Sequence, residues 1–297
     1  MIFQDCKLFR DVAHAKSLSR AAQINGISQS AATQHIQELE KRLGAALLDR
    51  STRPLGLTAA GKLYADLCRD VLRREEDFAA ALDEIKASAE GTIRVASIYS
   101  IGLSEMGRLR DEFSRICPQA SVHVELLRPD KVYDAVLEDQ ADLGFISYPE
   151  HRRDLTVIPW REERMTVAAY PSHPLARRGE VGPQDLDGLD FIAFDDEVII
   201  RRELDRFFRE NEIEVSIVMQ FDNIQSIKEA VALGSGISIL PERTMQAEVE
   251  QQRLVSIPLT APELLRPTGI IHRKKKKLSR ASREFLQLVT ASDSLVG

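Results

Sequence analysis

The sequence predicts a multidomain chain: a small α-helical head built as a winged helix-turn-helix, one long linker helix, and a C-terminal α/β domain. Three observations predict it. Over residues 1–57 apolar positions keep helical spacing, and the segments break at Asn25-Gly26 and Gly44. From Thr58 to about residue 90 a helical pattern runs on. At Gly91 the texture changes, and short apolar strands alternate with amphipathic helices to the end of the chain.

The first helix is set by Leu8, Phe9, Val12 and Ala13. Ser17 or Ser19 is placed to N-cap a short second helix, "RAAQI", by accepting a backbone N–H bond. Asn25 and Gly26 tolerate left-handed backbone and form a turn. Ser28 caps a third helix, which runs through Leu43 and stops at Gly44. Its wheel has an apolar stripe of Ala32, Ile36, Leu39 and Leu43 and a polar face of Ser30, Thr33, Gln34 and Gln37. Such a helix is an ordinary surface helix or the reading helix of a helix-turn-helix. The amides and hydroxyls of its early polar face are what base edges require. Arg50 and Arg53 bracket a turn containing Pro54 and Gly56, a small wing whose arginines would meet phosphates. For Arg50 a structural ion pair with a nearby acid is the alternative.

Thr58 caps the long helix. Tyr64, Val71, Phe78 and Ile85 recur every seven residues, and Leu67, Arg74 and Ala81 form a second row broken at the arginine. A helix this long cannot bury its stripe against a small head, so we expect a dimer seam.

Beyond Gly91 the reading is strand "TIRVASI", helix "GLSEMGRLRDEFSRI", strand "SVHVELL", helix "DKVYDAVLED" and strand "DLGFIS". Two separate strands follow, "LTVIPW" and "RMTVAAY", then a loop with at most a turn of helix. The rest reads "DFIAF" (strand), "IIRRELDRFFREN" (helix), "EVSIVMQF" (strand), "IQSIKEAVAL" (helix), "GISILP", "RLVSIPL" and "TGIIH" (strands) and "RASREFLQLV" (helix). This alternation predicts parallel sheets, with ligands beyond strand ends at helix N-termini.

Composition narrows the function. The 297 residues carry a net charge of −6, divided between +3 over residues 1–61 and −9 over the remainder. A basic head on an acidic body suits a polyanion-binding module joined to something else. No apolar run reaches the ~18–20 residues of a membrane span, and "MIFQDCKLFRDVAHA" has no signal-peptide core, so a cytoplasmic protein without membrane partners is expected. Cys6, Cys68 and Cys117 lie far apart in sequence, which argues for buried fillers over a disulfide or zinc site. The six histidines have no metal-ligand spacing, and nucleophile elbow, P-loop and dinucleotide motifs are missing. We therefore expect no enzyme, no catalytic or metal residues and no cofactor. "GSGIS" fits a helix-to-strand turn better than a phosphate loop, and "HRKKKKLS" a solvated loop better than a nucleic-acid patch.

The run "SLSRAAQINGISQSAATQHIQELEKRLGAALLDR", followed by "RPLGLTAAG", resembles the LysR-type bacterial transcriptional regulators. "DLGFIS", "YPSHPLA", "ALGSGISILPE" and "KKLSRASREFLQLV" follow in the family's order, so the resemblance covers essentially the whole chain. "LLDR" departs from it, standing where the family usually has an aromatic and a glutamate. The resemblance implies a winged helix-turn-helix at 1–57, a linker and dimerisation helix at 58–90 and an effector-binding domain at 91–297. That domain would hold two periplasmic-binding-protein-like subdomains, I (about 91–161 and 267–297) and II (about 162–266). Strand crossovers should fall near Trp160–Glu163 and Leu264–Pro267. Its implied partners are double-stranded promoter DNA, a small-molecule effector of unstated identity, and other copies of the chain as a homodimer or homotetramer. Gln29, Ser30, Thr33 and Gln34 are the expected base-facing residues, with Arg50 and Arg53 on phosphates. Ser100, Ile101, Gly102, Ser147, Phe194, Asp195 and Asn223 are the expected effector contacts, in a setting suited to an organic anion. Arg201 and Arg202 would clamp a carboxylate or simply be solvated.

Overall fold

The computed structural model describes residues 2–85, 91–260 and 264–292. The chain divides into two compact units, 1–87 and 88–297.

In the first unit α1 (Ile2–Ala15), α2 (Leu18–Ile24) and α3 (Gln29–Leu43) lead to a two-stranded hairpin, β1 (Leu48–Asp49) with β2 (Gly56–Leu57), and then to α4 (Ala59–Ile85). Ser17, of the two candidate caps, accepts the Arg20 N–H at 3.3 Å. Ser28 accepts the Ala31 N–H at 3.1 Å. Gly26 and Gly44 both take φ +64°, the left-handed conformation that lets the chain leave α2 and α3. Phe9, Val12, Ala22, Ala32, Ile36, Leu39 and Leu72 fill one core. Leu43, expected in the stripe, is 48% exposed, because the helix ends before its last turn reaches that core.

Glu40 joins α3 to the hairpin: one carboxylate oxygen accepts the N–H groups of Leu47 (2.8 Å) and Leu48 (3.1 Å). Thr58 begins α4, accepting the Gly61 N–H at 2.9 Å and donating to the Ala46 carbonyl at 2.6 Å. A Cβ on Gly61 would lie 2.0 Å from the Leu47 carbonyl oxygen, so only glycine lets α4 approach the hairpin this closely.

The heptad rows of α4 divide their work. Tyr64 and Val71 pack against the head core, Tyr64 edge-on to Phe9, while Leu63, Leu67, Phe78 and Leu82 remain exposed, Phe78 by 64%. The first half of the helix closes the core under α1, so the expected seam is interrupted there. The expected end of the linker helix, residues 86–90, lies outside the described residues. Cys6 and Cys68, remote in sequence, are both buried in this core with Tyr64 packed against it; burial, then the Cys6 neighbour, pushes the Cys68 thiol far up. A thiol held protonated is a small apolar filler.

The second unit has the order β3 (Gly91–Ile98), α5 (Tyr99–Ile116), β4 (Ala120–Leu127), α6 (Pro129–Leu137), β5 (Leu143–Ser147), β6 (Leu155–Ala169) and β7 (Asp190–Phe194). There follow α7 (Ile199–Glu210), β8 (Ser216–Phe221), α8 (Ile224–Ala232), β9 (Ser238–Pro241), α9 (Gln246–Glu250), β10 (Val255–Pro258), β11 (Leu265–Arg273) and α10 (Arg280–Ser292). The main sheet runs β10-β6-β11-β5-β3-β4, and β9 also pairs with β6.

The sheet is mixed, where parallel sheets were expected. β3 pairs in parallel with β4 and β5, but β11 is antiparallel to β5 and β6, and β9 and β10 are antiparallel to β6; β7 and β8 form a separate two-stranded parallel sheet. The two strands expected at 155–160 and 164–170 are the single β6, whose first part pairs with β11 and whose last part pairs with β9 and β10. It leaves one core, centred on Phe113, Phe145 and Phe285, and enters another, centred on Phe191, Phe207 and Phe208. β11 returns in the opposite direction, which forces the antiparallel pairing. Two 3-10 turns, Pro174–Arg177 and Pro183–Leu186, occupy the expected loop.

The basic run after β11 is not a simple solvated loop. Arg273 and the buried Lys276 pair with Asp139, and Lys276 also meets Asp142 at 3.0 Å. Lys274 and Lys275 are exposed.

Candidate nucleic-acid interface and ligand cleft

On α3, Gln29, Ser30 and Gln34 are exposed and Thr33 is half-buried, while Ala32 and Ile36 behind them are buried. Local bonds order this face. Ser28 and Ser30 share a hydroxyl contact at 2.9 Å, Thr33 donates to the Gln29 carbonyl at 2.8 Å, and Gln34 donates to Glu38 at 3.2 Å. The Thr33 hydroxyl proton is therefore spent on the helix backbone, and Gln34 spends an amide N–H on Glu38 with no bond to its carbonyl oxygen among the described residues. His35 and Gln37 are exposed on the same helix.

The two wing arginines differ. Arg50 pairs with Glu40 at 3.1 Å, the structural ion pair named above as its alternative. Arg53 is exposed and makes no ion pair among the described residues.

In the second unit a cavity of about 60 Å³ lies where the two cores face each other. Ser100, Ser147, Phe194 and Asn223 all line it. The other three expected residues do not. Ile101 is fully buried in the first core, since the helix starts at Tyr99 rather than near Gly102 and turns that side chain inward. Gly102 packs under Leu126, where a Cβ would come within 2.0 Å of a methyl carbon. Asp195 directs its N–H to the Phe221 carbonyl at 2.9 Å and ties β7 to β8.

Four helix N-termini converge on this cavity: Tyr99 and Ser100 of α5, Arg128 and Pro129 at α6, Val198 and Ile200 at α7, and Asn223 and Ile224 at α8. The first turns of helices carry unpaired N–H groups and partial positive charge. Asn223 is itself a cap, accepting the Ser226 N–H at 2.9 Å.

Two cations in the lining escaped the sequence reading. Arg266 is 2% exposed, pairs with Glu163 and donates to the Ser100 hydroxyl at 3.1 Å. Arg128 reaches from the first core's side to Glu197 (2.9 Å) and Asp222 (3.6 Å) on the other. The signal for Arg266 was a charge inside an apolar strand, within the expected Leu264–Pro267 crossover. For Arg128 it was "LLRPD", a cation at a strand end with proline opening the next helix. Arg201 is committed to Asp196, Asp205 and the Phe194 carbonyl, all at 2.8 Å, which removes it as a carboxylate clamp.

Behind Ser100 a row of buried charges follows the crossovers. Glu105 binds Arg161 at 2.8 Å, Arg161 approaches Glu163 at 3.3 Å and lies over the Trp160 ring, and Arg243 reaches Glu105 at 3.6 Å. Burial alone would raise the Glu105 carboxyl, but the Arg161 charge and hydrogen bond, with Arg243 and Arg108, hold it below the usual range. Tyr148, which follows Ser147 at φ +49°, has its phenol pushed up to about 12 by burial. Among the described residues no group of His, Cys, Asp or Glu is arranged to hold a metal ion, and no helix is long and apolar enough to cross a membrane.

Comparison with known proteins places these features. The family described as a bacterial regulatory helix-turn-helix protein, lysR family, matches residues 3–62. The LysR substrate binding domain matches residues 86–293. The uncharacterized HTH-type transcriptional regulator YeiE of Escherichia coli is 28% identical over 94% of this chain and 94% of its own. A probable RuBisCO transcriptional regulator of Synechocystis is 27% identical over 95% of this chain and 84% of its own. Among solved structures, full-length OxyR from Pseudomonas aeruginosa superposes with a TM-score of 0.75 at 19% identity, covering 99% of this chain and 95% of its own. CbnR, complexed with its target DNA, gives 0.70 at 21% identity, covering 98% and 100%. The regulatory domain of Synechocystis CcmR in complex with 2-PG gives 0.62 at 24% identity, covering 68% and 97%.

Proposed function

The chain belongs to the LysR-type transcriptional regulators, and from that premise we propose a sensor of small organic anions that reads promoter DNA as a homo-oligomer. The observation that carries the anion is the convergence of four helix N-termini on one cavity, with Arg128 and the buried Arg266 in its wall. Carboxylate or phosphate oxygens suit such a place, where backbone N–H groups and guanidinium donors face one point. Ser100 receives the Arg266 N–H, so its own proton is available to a ligand. CcmR, solved with 2-PG, supports a ligand of modest size in this fold.

A cavity of about 60 Å³ is smaller than the ~300–1,000 Å³ of ordinary ligand pockets. An organic acid therefore enters only if the two halves part. Arg128 holds them across the cleft through Glu197 and Asp222. A ligand anion competes for that guanidinium, and the movement it causes is the signal.

On the DNA side, Gln29, Ser30, Thr33 and Gln34 face base edges and Arg53 a phosphate, while Arg50 braces the wing. Dimerisation uses the outer face of α4. Thermal-shift titration of the full-length protein with organic acids and their neutral methyl esters tests the anion reading. Acids should raise the melting temperature and esters should not, and Ser100→Ala should weaken the effective acid by about tenfold or more. Equal responses to acid and ester would refute it.

A further inference from the structure

The wall of the cleft cavity is mostly hydrocarbon. Ile98 and Leu127 come to it from one core, and Phe194, Val198, Ile200 and Ile224 from the other. Its polar side chains are few, and most are already engaged. Asn223 has spent its amide oxygen on the Ser226 N–H and an amide N–H on Asp222 at 3.0 Å. Arg128 holds Glu197 and Asp222, and Arg266 holds Glu163.

Two hydroxyls remain. Ser100, 7% exposed, accepts from Arg266 and donates its own proton to no group among the described residues. Ser147 makes no side-chain hydrogen bond among them. With the N–H groups of the helix starts, these suffice for the oxygens of one carboxylate. Little is left for further ligand hydroxyls. Each hydroxyl buried against the apolar wall without a partner would cost about tenfold or more in affinity.

Charge points the same way. The two guanidiniums of the lining face three carboxylates, those of Glu163, Glu197 and Asp222, so the side chains carry one negative charge in excess. Each of the four helix starts contributes about half a positive charge, roughly two together, which leaves a balance of about one positive charge. One ligand anion neutralises that balance and a dianion overshoots it.

We infer that the effector is a monocarboxylate with an apolar body, and neither a polyhydroxylated acid nor a dianion. Its carboxylate meets Ser100, Ser147 and the helix starts, and its body packs on Leu127, Phe194 and Val198. The inference rests on the anion reading and narrows it.

Calorimetric titration of the full-length protein separates the two. The apolar monocarboxylates are isovalerate, benzoate and phenylacetate, and the contrasting acids are glycerate, succinate and phosphoglycolate, with methyl benzoate as the neutral probe. At least one apolar acid should bind about tenfold or more tightly than every contrasting acid. Asp222→Asn, at an exposed position, removes one acid from the lining and should improve succinate about tenfold relative to that apolar acid. Leu127→Thr, at a half-buried position, should narrow the lead of the apolar acid over glycerate. Tightest binding by glycerate, succinate or phosphoglycolate overturns this inference and leaves the anion reading standing. So does a preference that neither variant moves. Methyl benzoate binding as well as benzoate, or no binding by any of the acids, overturns both.

Discussion

Arg50 and Arg53 sit on the same short wing and have opposite circumstances. Arg50 is held by Glu40, whose other oxygen fixes two hairpin amides, while Arg53 stands free among the described residues. Arg53→Ala should weaken binding to specific and random duplex alike and lower the salt slope by about one, measured by fluorescence anisotropy across salt concentrations. Arg50→Ala should leave that slope unchanged and shift head stability by no more than about 1 kcal/mol. A second residue-scale prediction concerns acid. Burial raises the Asp142 carboxyl, but the Arg94 hydrogen bond and the Lys276 and Arg94 charges outweigh it and hold it below the usual range. With the folded value lowered, its stabilisation is complete above the unfolded pKa of about 3.9 and is lost as pH falls through the lower folded value. Urea midpoints followed from pH 5 to pH 2 should therefore fall, and Asp142→Asn should flatten that part of the decline. Caps such as Ser28 and stops such as Gly44 were legible because their partners lie within one turn. Arg266 with Glu163 and Lys276 with Asp142 were not, because each charge is explained only by a residue that folding brings from far along the chain.

At the scale of elements, the heptad pattern of α4 is divided between two faces. Its heptad rows exist, but Tyr64 and Val71 serve the head, and Leu63, Leu67, Phe78 and Leu82 carry the exposed apolar surface. If that surface pairs two copies, Phe78→Lys with Leu82→Lys should shift sedimentation toward monomer, by at least about tenfold in dimer affinity. Unchanged sedimentation would place the oligomer contact elsewhere. Gly61→Ala should destabilise the head by about 1–3 kcal/mol in thermal melts, since the added carbon collides with the Leu47 carbonyl. Most of the strand and helix order in the second unit followed from apolar alternation, apart from the unbroken β6 and the short α9. The direction of β6, β9, β10 and β11 did not, because a strand's apolar pattern is the same whichever way its neighbour runs.

For the whole molecule, the division of charge between a basic head and an acidic body agrees with a regulator in which one part meets DNA and another senses a ligand. The family was legible in one dense motif on α2 and α3. Four of the seven expected cleft residues line one cavity because strand ends and helix starts are local signals. Ile101, Gly102 and Asp195 miss it because a helix phase and a strand register decide where each side chain points. A regulator of this family is expected to read a specific DNA sequence through this head. The most direct test is anisotropy of the full-length protein, near physiological salt, on the duplex immediately upstream of its own gene and on a shuffled duplex of equal length. A preference of about 10³-fold or more for the upstream duplex is expected, lost when Thr33 and Gln34 are both changed to alanine in a head that still melts cooperatively. Equal affinity for the two duplexes would contradict it.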